Sequence, residues 1–253
     1  MRYANRVPKA LIKDGHYLGR PADFTDKIVV RRINIVKQIP NFCGKEYELL
    51  DIGCGNGAST FKLASEMKSC VGIDMESTHK PEFESYKKEH QINNCTFQLC
   101  DIEKEKLNGH FDRIISFEVI EHLENDKNVS KYYEALKNGG LIAITVPNKC
   151  WIFETHGAKL PFLPWNRVPF FSWLPRFIHE RFANARIYTK RRIVKLMKNA
   201  GFQILDVKLV TAPMDVLKEG KLKDFLLKNV FKSDTTKKPM LAVSIFLLAK
   251  KPD

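Results

Sequence analysis

The sequence lacks several features that commonly define a class of protein. Its six cysteines include no Cys-x-x-Cys pair, so neither a zinc-ligand spacing nor a redox dithiol is present. The charged residues 1–6 are not followed by the apolar segment of a secretory signal. We therefore expect a cytoplasmic protein with reduced, mostly buried thiols. The cysteines are Cys43, Cys54, Cys70, Cys95, Cys100 and Cys150.

Long apolar runs and internal repeats are also missing. The most apolar stretch, 160–177, is interrupted by Asn166, Arg167, Ser172 and Arg176, which argues against a membrane span. Its four prolines exclude a regular helix through its middle. With 253 residues, of which 44% are hydrophobic, the chain is predicted to form a single α/β domain with insertions.

Charge is distributed unevenly along the chain. Residues 1–148 contain 21 Lys and Arg against 21 Asp and Glu, whereas residues 149–253 contain 21 against 8. The whole net charge of +13 therefore lies in the second part. Such an excess favours an anionic partner, either a membrane surface, nucleic acid or a phosphorylated substrate, but a solvated lysine-rich face is equally compatible.

The strongest motif is a glycine-rich turn. The apolar run 49–52 contains Asp51 and leads directly into Gly53, Gly55 and Gly57, after which a helix-prone segment begins. Glycine allows a sharp turn and a close approach of the backbone to a ligand, and a helix N-terminus favours an anionic group. The G-x-G-x-G spacing differs from the G-x-G-x-x-G of a dinucleotide site.

Further apolar runs also end in acidic residues. Asp74 closes the next run, about 20 residues beyond the glycine turn, and Asp101 and Glu118 close two more. Apolar strands that alternate with helical segments predict a parallel sheet covered on both faces. Ligands bind beyond the carboxyl ends of the strands in such sheets, so we expect these carboxylates to share one edge.

These motifs resemble the class I S-adenosylmethionine (SAM) dependent methyltransferases, above all the group that includes the ubiquinone and menaquinone methyltransferases. The resemblance covers roughly residues 47–148 and extends more loosely over 188–202. It implies a Rossmann-like, doubly wound α/β fold with a seven-stranded sheet, mostly parallel with an antiparallel last strand. The matching segments are 49–57, 71–74, 101–102, 111–123 and 136–148.

The resemblance assigns the glycine turn to the methionine end of SAM. Gly53, Gly55 and Gly57 would cradle this part of the cofactor, and Asp51 would support its ammonium group. Cys54 lies inside the loop, and the small volume of its side chain is enough to explain why a cysteine occupies this position.

The adenosine end of SAM is assigned in the same way. Asp74 would bind the ribose hydroxyls and Met75 would pack on the adenine ring. Asp101 and Ile102 would hold the edge of the adenine.

Glu118 and Val119 would line the pocket near the reacting methyl group. If the acceptor is a hydroxyl or an activated carbon, a base must remove a proton. The candidates are His156, Glu154 and His122, of which His156 follows the fifth strand most closely on the substrate side. His156 as an ordinary loop residue, His122 as a packing residue, and catalysis by proximity alone remain open.

Three segments lie outside the common pattern. Residues 1–40 are predicted to form an extended arm followed by a helix from Asp23 to Gln38 that lies over the cofactor. The aromatic insertion 149–186 suits either a lid on an apolar acceptor pocket or a membrane interface. The insertion 212–238 has the spacing of a basic amphipathic helix, which either packs on the domain or lies on an anionic bilayer.

The remaining predicted helices and strands complete the alternating pattern of the α/β fold. The helices are 58–67, 81–90, 128–137 and Lys190–Asn199, and the last two strands are 202–210 and 240–250.

The class of methyl acceptor is narrowed by the motifs that the sequence lacks. Residues 116–119 contain no Asn/Asp-Pro-Pro-aromatic motif, Cys150 is not preceded by proline, and no RNA-binding module is recognisable. The leading hypothesis is a methyltransferase acting on oxygen or carbon of a small-molecule or lipid-linked acceptor that resembles a quinone, sugar or lipid. RNA methylation through the basic second half and a non-catalytic SAM-binding role are the alternatives, and peripheral contact with the inner membrane face is left open.

Overall fold

The computed structural model describes residues 12–13, 16–17, 24–107, 109–157 and 169–253. The predicted arm over residues 1–20 and the centre of the aromatic insertion lie almost entirely outside these residues. Within them, two short strands, Ile12–Lys13 and His16–Tyr17, pair with each other, and seven strands form one sheet. The sheet strands are β1 Gly44–Ile52, β2 Met67–Asp74, β3 Cys95–Leu99, β4 Phe111–Phe117, β5 Leu136–Pro147, β6 Gln203–Thr211 and β7 Ala242–Lys250.

The sheet has the strand order β3-β2-β1-β4-β5-β7-β6. The first five strands are mutually parallel, and β7 runs antiparallel to both β5 and β6. This confirms the predicted fold class and the antiparallel last pair. The order reverses between β1 and β4, and a crevice for a ligand opens at such a switch point, beyond the carboxyl ends of the strands.

Seven α-helices are present in the described part of the chain. They are α1 Lys27–Lys37, α2 Ala58–Ala64, α3 Lys80–Glu89, α4 Ser130–Ala135, α5 Arg176–Phe182, α6 Lys190–Asn199 and α7 Lys221–Asn229.

Several predicted helix bounds need correction. The first helix begins at Lys27 rather than at Asp23, and α2 ends at Ala64 because Met67 already pairs in β2. The helix predicted over 128–137 ends at Ala135, since Leu136 pairs with Phe111 in the sheet. The second and third of these helices therefore end where the following residues join a strand, a competition that local propensity does not register.

Helices cover both faces of the sheet. On one face, Tyr132 of α4 and Met197 of α6 are buried in one hydrophobic cluster, and on the other, Val36 of α1, Leu63 of α2 and Phe83 of α3 are buried in a second. The strands between them are apolar on both sides, as a two-sided parallel sheet requires. The core thus fixes the strand ends that form the crevice.

The two insertions carry helices of their own. The 212–238 insertion contains α7, in agreement with its predicted spacing, while α5 in the aromatic insertion was not predicted. Arg31 of α1 donates hydrogen bonds to the carbonyls of Phe231 and Ser233, which ties the second insertion to the domain. None of the described helices combines the length and the apolar character that crossing a membrane requires.

Candidate active site

A cavity of about 850 Å³ lies at the carboxyl ends of the strands. Ten of the eleven residues expected to bind the cofactor line it, and the exception is Gly57. Gly57 instead precedes α2 with a φ of 90°, where a Cβ would lie 2.6 Å from the Phe61 and Phe83 rings. The ten lining residues are Asp51, Gly53, Cys54, Gly55, Asp74, Met75, Asp101, Ile102, Glu118 and Val119.

The glycine turn is held by the strand beside it. Gly53 and Cys54 both donate their backbone N–H to the carbonyl of Ile73, at 2.8 and 3.0 Å. Gly53 has a φ of 73°, and a Cβ at this position would lie 2.4 Å from Cγ2 of Val119. Only glycine combines this backbone conformation with such close packing. The turn therefore leaves its backbone open to the cavity.

Asp51 lies at the base of the turn and is almost completely buried. Thr60 Oγ1 donates a 2.6 Å hydrogen bond to Asp51 Oδ2. Burial is the main cause that raises the pKa of Asp51 to about 7. A cation beside this carboxylate would favour its charged form, so Asp51 suits the ammonium group that the family resemblance places there.

Asp74 and Asp101 are both held by backbone donors. Asp74 accepts hydrogen bonds from the N–H groups of Gly55 and Glu76, at 2.8 and 2.9 Å. Asp101 accepts one from the N–H of Glu103 at 2.9 Å and forms an ion pair with a lysine. Each carboxylate oxygen has further acceptor capacity. Both side chains are thus oriented and can still bind ribose hydroxyls or an adenine amino group.

The cavity as a whole is acidic. Eight carboxylate side chains line it against only two side chains of lysine or arginine, Lys104 and Arg32. An acidic lining favours a positively charged ligand, and SAM carries a sulfonium and an ammonium group. The eight are Asp26, Asp51, Asp74, Asp101, Glu103, Glu118, Glu124 and Asp215.

Arg32 of α1 reaches the end of β4, a contact that the sequence reasoning missed. Its Nη2 lies 3.1 Å from Oε1 of Glu118, and both side chains are largely buried. Glu118 has a φ of 57°, an uncommon value for a residue other than glycine. The only hint in the sequence is the pair of arginines in an otherwise apolar helix. The ion pair places α1 against the cavity, in line with the helix predicted to lie over the cofactor.

Glu121, His122 and His156 form a second group beside the cavity. Glu121 is 2% exposed, and neither of its carboxylate oxygens has a hydrogen-bond partner among the described residues. His156 Nε2 lies 3.5 Å from Glu121 Oε1, and the His122 and His156 rings are 5.0 Å apart. One ligand atom from each residue lies within 4.8 Å of the others, so the group could hold a divalent cation or pass a proton.

Burial sets the protonation of this group. It raises the pKa of Glu121 well above its usual value, with the nearby charge of Glu118 adding to the effect. Burial lowers the pKa of both His122 and His156. The imidazole of His156 is therefore neutral near pH 7, the form in which histidine accepts a proton. His122 and His156 both line the cavity, together with Thr155.

Glu154 is positioned differently from the other base candidates. It is buried, and the structure does not include it in the cavity lining. Its Oε2 lies 2.6 Å from Nε2 of His179, and its Oε1 accepts a 3.0 Å hydrogen bond from the N–H of His156. Asn184 donates to the carbonyl of His156 at 2.9 Å. These contacts favour a role for Glu154 in positioning His156. No sequence pattern pointed to His179, which lies 25 residues after Glu154 in the chain.

Comparison with known proteins identifies the family. A family model described as a methyltransferase domain matches residues 44–201. This chain belongs to the class I SAM-dependent methyltransferases. The match spans the glycine turn, the acidic strand ends and both histidines of the second group, and it makes SAM the cofactor of this protein.

Known proteins similar to this methyltransferase agree with that assignment. A ubiquinone biosynthesis O-methyltransferase from Rickettsia canadensis is 26% identical over 188 residues, which cover 73% of this chain and 74% of that protein. A SAM-dependent methyltransferase from Clostridium acetobutylicum has a TM-score of 0.60 at 16% identity and covers 92% of this chain and 93% of its own. Magnesium protoporphyrin IX methyltransferase from Synechocystis, solved with bound SAM, has a TM-score of 0.55 at 16% identity, over 90% and 80% of the two chains.

Proposed function

We propose that this methyltransferase transfers the methyl group of SAM to a hydroxyl oxygen of a small-molecule or lipid-linked acceptor, with His156 as the general base. The observation that carries the proposal is the neutral, partly buried imidazole of His156 at the cavity wall, whose Nε2 lies 3.5 Å from Oε1 of the buried Glu121. The relatedness to an O-methyltransferase of ubiquinone biosynthesis supports both the oxygen and the class of acceptor.

When bound, SAM supplies an electrophilic methyl group on a sulfonium. The residues that line the cavity would hold SAM with this methyl toward the acceptor hydroxyl, and His156 would accept the hydroxyl proton as the methyl moves from sulfur to oxygen. Glu121, whose pKa burial raises well above its usual value, would orient the His156 ring through its carboxyl group rather than act as a fixed negative charge beside it. The contact between His156 Nε2 and Glu121 is long for a hydrogen bond in this structure, and such contacts tighten when a substrate is bound.

The remaining residues of the site orient rather than react. Glu154, His179 and Asn184 fix the backbone on both sides of His156, and Thr155 Oγ1 lies 3.0 Å from its Nδ1. Holding the base in one place lowers the entropic cost of reaching the transition state. An apolar acceptor is in line with the aromatic character of the insertion in which His156 lies.

A label-transfer experiment tests the proposal. The purified protein is incubated with methyl-labelled SAM and a fractionated extract of its source cells, and the label is followed into small-molecule, lipid and RNA fractions. We expect label in the small-molecule or lipid fraction, at an oxygen by mass analysis of the product. Label confined to RNA, or to carbon or nitrogen of the product, would contradict the proposal.

Substitution of the base provides the second readout. His156→Ala is expected to lower turnover about 100-fold or more, the usual contribution of a general base, while the SAM dissociation constant measured by calorimetry stays the same. The wild-type rate should fall on the acid side of the ordinary histidine pKa and stay level above it, since only neutral imidazole accepts the proton. His90→Ala, at an exposed histidine that follows α3 and does not line the cavity, is the matched control and should retain the activity. Loss of turnover on metal chelation with an unchanged pH profile would instead assign the group to a bound cation.

A further inference from the structure

Helix α7 exposes large apolar side chains. Leu222 is 65% exposed and Phe225 is 61% exposed, although apolar residues of this size are usually buried. They lie three positions apart and so share one side of the helix. Leu227 on the opposite side of the helix and Leu226 between the two sides pack against the protein. The helix therefore presents an apolar side to its surroundings in addition to the one that holds it in place.

The aromatic insertion exposes a second group of the same kind. Phe170, Trp173 and Phe177 are 53%, 42% and 77% exposed. The Phe170 and Trp173 rings contact each other edge to face, with centroids 5.0 Å apart. Soluble proteins seldom leave clustered aromatic side chains exposed unless the surface binds something.

A small hydrophobic cluster connects the two groups. Trp151 packs in the same cluster as Leu226 and Leu227 of α7. The carbonyl of Trp151 also accepts hydrogen bonds from Ser172 Oγ at 2.7 Å and from Trp173 Nε1 at 3.2 Å. Helix α7 and residues 170–177 thus rest on the same internal residue. We call the exposed residues of these two segments the apolar rim.

The charge around the apolar rim is positive. Lys221 and Lys228 are exposed and lie one helical turn before and after Phe225. Residues 216–232 contain five lysines against two acidic residues, within the part of the chain that carries the whole net charge. Exposed Trp, Phe and Leu with flanking lysines are typical of helices that lie at the interface of an anionic bilayer. Single-stranded nucleic acid would need aromatic platforms along a basic groove, which aliphatic Leu222 does not provide.

Two segments of the chain connect the apolar rim to the lining of the cavity. Asp215 lines the cavity and the next residues, Val216 and Leu217, pack in the Trp151 cluster beside α7. On the other side, His156 lines the cavity and follows Trp151 by five residues. A surface in contact with lipid would therefore lie close to the wall that carries the proposed base.

We infer that the apolar rim docks this methyltransferase on the surface of an anionic lipid bilayer. Leu222, Phe225, Trp173 and Phe177 enter the interfacial region, and Lys221 and Lys228 lie against lipid phosphate groups. This contact is peripheral and depends on both apolar burial and charge, so it weakens at high salt. This docking does not depend on the proposed acceptor, because binding to a bilayer involves no methyl transfer.

Flotation of the full chain with vesicles tests the docking. The probes are vesicles of phosphatidylcholine alone and vesicles of equal parts phosphatidylcholine and phosphatidylglycerol. We expect the protein to float with the anionic vesicles and to remain in solution with the neutral ones. The double variant Leu222→Ser and Phe225→Ser should lower the bound fraction roughly tenfold or more, since it removes two apolar side chains from the interface. Lys221→Gln with Lys228→Gln should remove the preference for the anionic lipid.

Leu205→Ser is the matched control, because Leu205 is 46% exposed on β6, away from the apolar rim. It should float like the wild type. The circular dichroism and SAM affinity of every variant should stay unchanged, and Phe177→Ser serves as a second variant if the double one fails to fold. Equal flotation of wild type and the double variant, no flotation at all, or retention on RNA but not on vesicles would overturn the inference. None of these readouts involves methyl transfer, so docking and the proposed function fail separately.

Discussion

The cavity and the apolar rim differ in charge, in origin and in what holds them together. The cavity is acidic, is built mainly from strand ends before residue 130, and is held by backbone hydrogen bonds. The apolar rim is surrounded by positively charged residues. It is built from the two insertions after residue 149 and is held by side-chain packing on Trp151. The difference separates two tasks. An acidic pocket holds a cationic cofactor, while a basic surface attracts anionic partners without competing for it.

His156 links the sheet domain to the first insertion. It lies in the first insertion, yet its ring meets Glu121, which follows β4 in the sheet domain. The residues expected to bind the cofactor therefore all precede the insertions, whereas the proposed base is supplied by one of them. If this division is correct, damage to the insertions should affect turnover and damage to the glycine turn should affect SAM binding.

The largest expected effect comes from breaking the buried pair that holds the first insertion. Glu154→Gln removes the carboxylate that contacts His179 in a site where the two side chains are 3% and 1% exposed. We expect the free energy of unfolding to fall by about 3 kcal/mol, the upper end of the usual cost of leaving a buried polar group unsatisfied. Turnover should fall by less, because the amide oxygen of glutamine can still accept the hydrogen bond from the N–H of His156, and the SAM dissociation constant of the folded protein should stay the same. Denaturant titration and calorimetry measure the two effects.

Glu180→Gln is the control for that variant. Glu180 is the neighbour of His179 on α5, and its ion pair with Arg192 is partly exposed to solvent. Such pairs contribute at most about 1 kcal/mol, so stability and turnover should change little. A loss in Glu180→Gln as large as in Glu154→Gln would show that the whole insertion, rather than the buried pair, is sensitive.

A substitution in the glycine turn should instead weaken SAM binding. Gly53→Ala introduces a Cβ that would lie 2.4 Å from Val119 Cγ2, on a backbone with φ of 73°. Strain at such positions costs about 2 kcal/mol, which corresponds to a SAM affinity roughly 30-fold weaker if the turn shifts to relieve it. Gly220→Ala, which also has a positive φ but no atom within 4 Å of the added Cβ, should leave SAM affinity unchanged. Calorimetric titration with SAM compares the two, and similar affinities in both variants would contradict the role of the close packing.

The sequence predicted the cavity much better than it predicted the base. Asp51, Asp74 and Asp101 follow apolar runs, and because parallel strands end at one edge of the sheet, local pattern was enough to bring them together. Arg32 and His179 gave no comparable signal, since they reach the site across α1 and α5 and their partners lie far along the chain.

The predicted helix bounds were wrong for a related reason. The sequence from 128 to 137 favours a helix throughout, yet Leu136 joins β5 and shortens it. Whether a residue at such a boundary belongs to the helix or to the strand is decided by the neighbouring strand, which is about 25 residues away in the chain. Local propensity contains no information about that neighbour.

The third prediction concerns the charge of the cavity. Burial raises the pKa of Asp51 to about 7, and the ammonium group expected beside it favours the ionised carboxylate. SAM binding should therefore weaken as pH falls below about 7, by up to tenfold per unit, and should level off above it. The stability of the free protein should change in the opposite direction and fall as pH rises through 7, because burial favours the protonated form.

Calorimetry at several pH values and in buffers of different ionisation enthalpy measures both the affinity and the proton release. In Asp51→Asn the affinity should be lower and nearly independent of pH. An equally steep dependence in this variant would assign the titration to another carboxylate of the cavity. A flat profile in the wild-type protein would mean that Asp51 is already ionised before SAM binds.

The smallest effect is expected at the adenine end of the cavity, where each contact is a single hydrogen bond near solvent. Asp101→Asn keeps the shape of the side chain but removes its charge, so the SAM affinity should fall by about 1 kcal/mol, or roughly fivefold. Asp112→Asn is the matched control, because Asp112 lies at the start of β4, at the opposite end of the sheet, where it accepts hydrogen bonds from Lys137 Nζ and the N–H of Glu48. Calorimetry should show normal SAM affinity for this control. If both variants weakened SAM binding equally, net charge rather than contact would govern the affinity, and the contrast between an acidic cavity and a basic surface would extend to the whole domain.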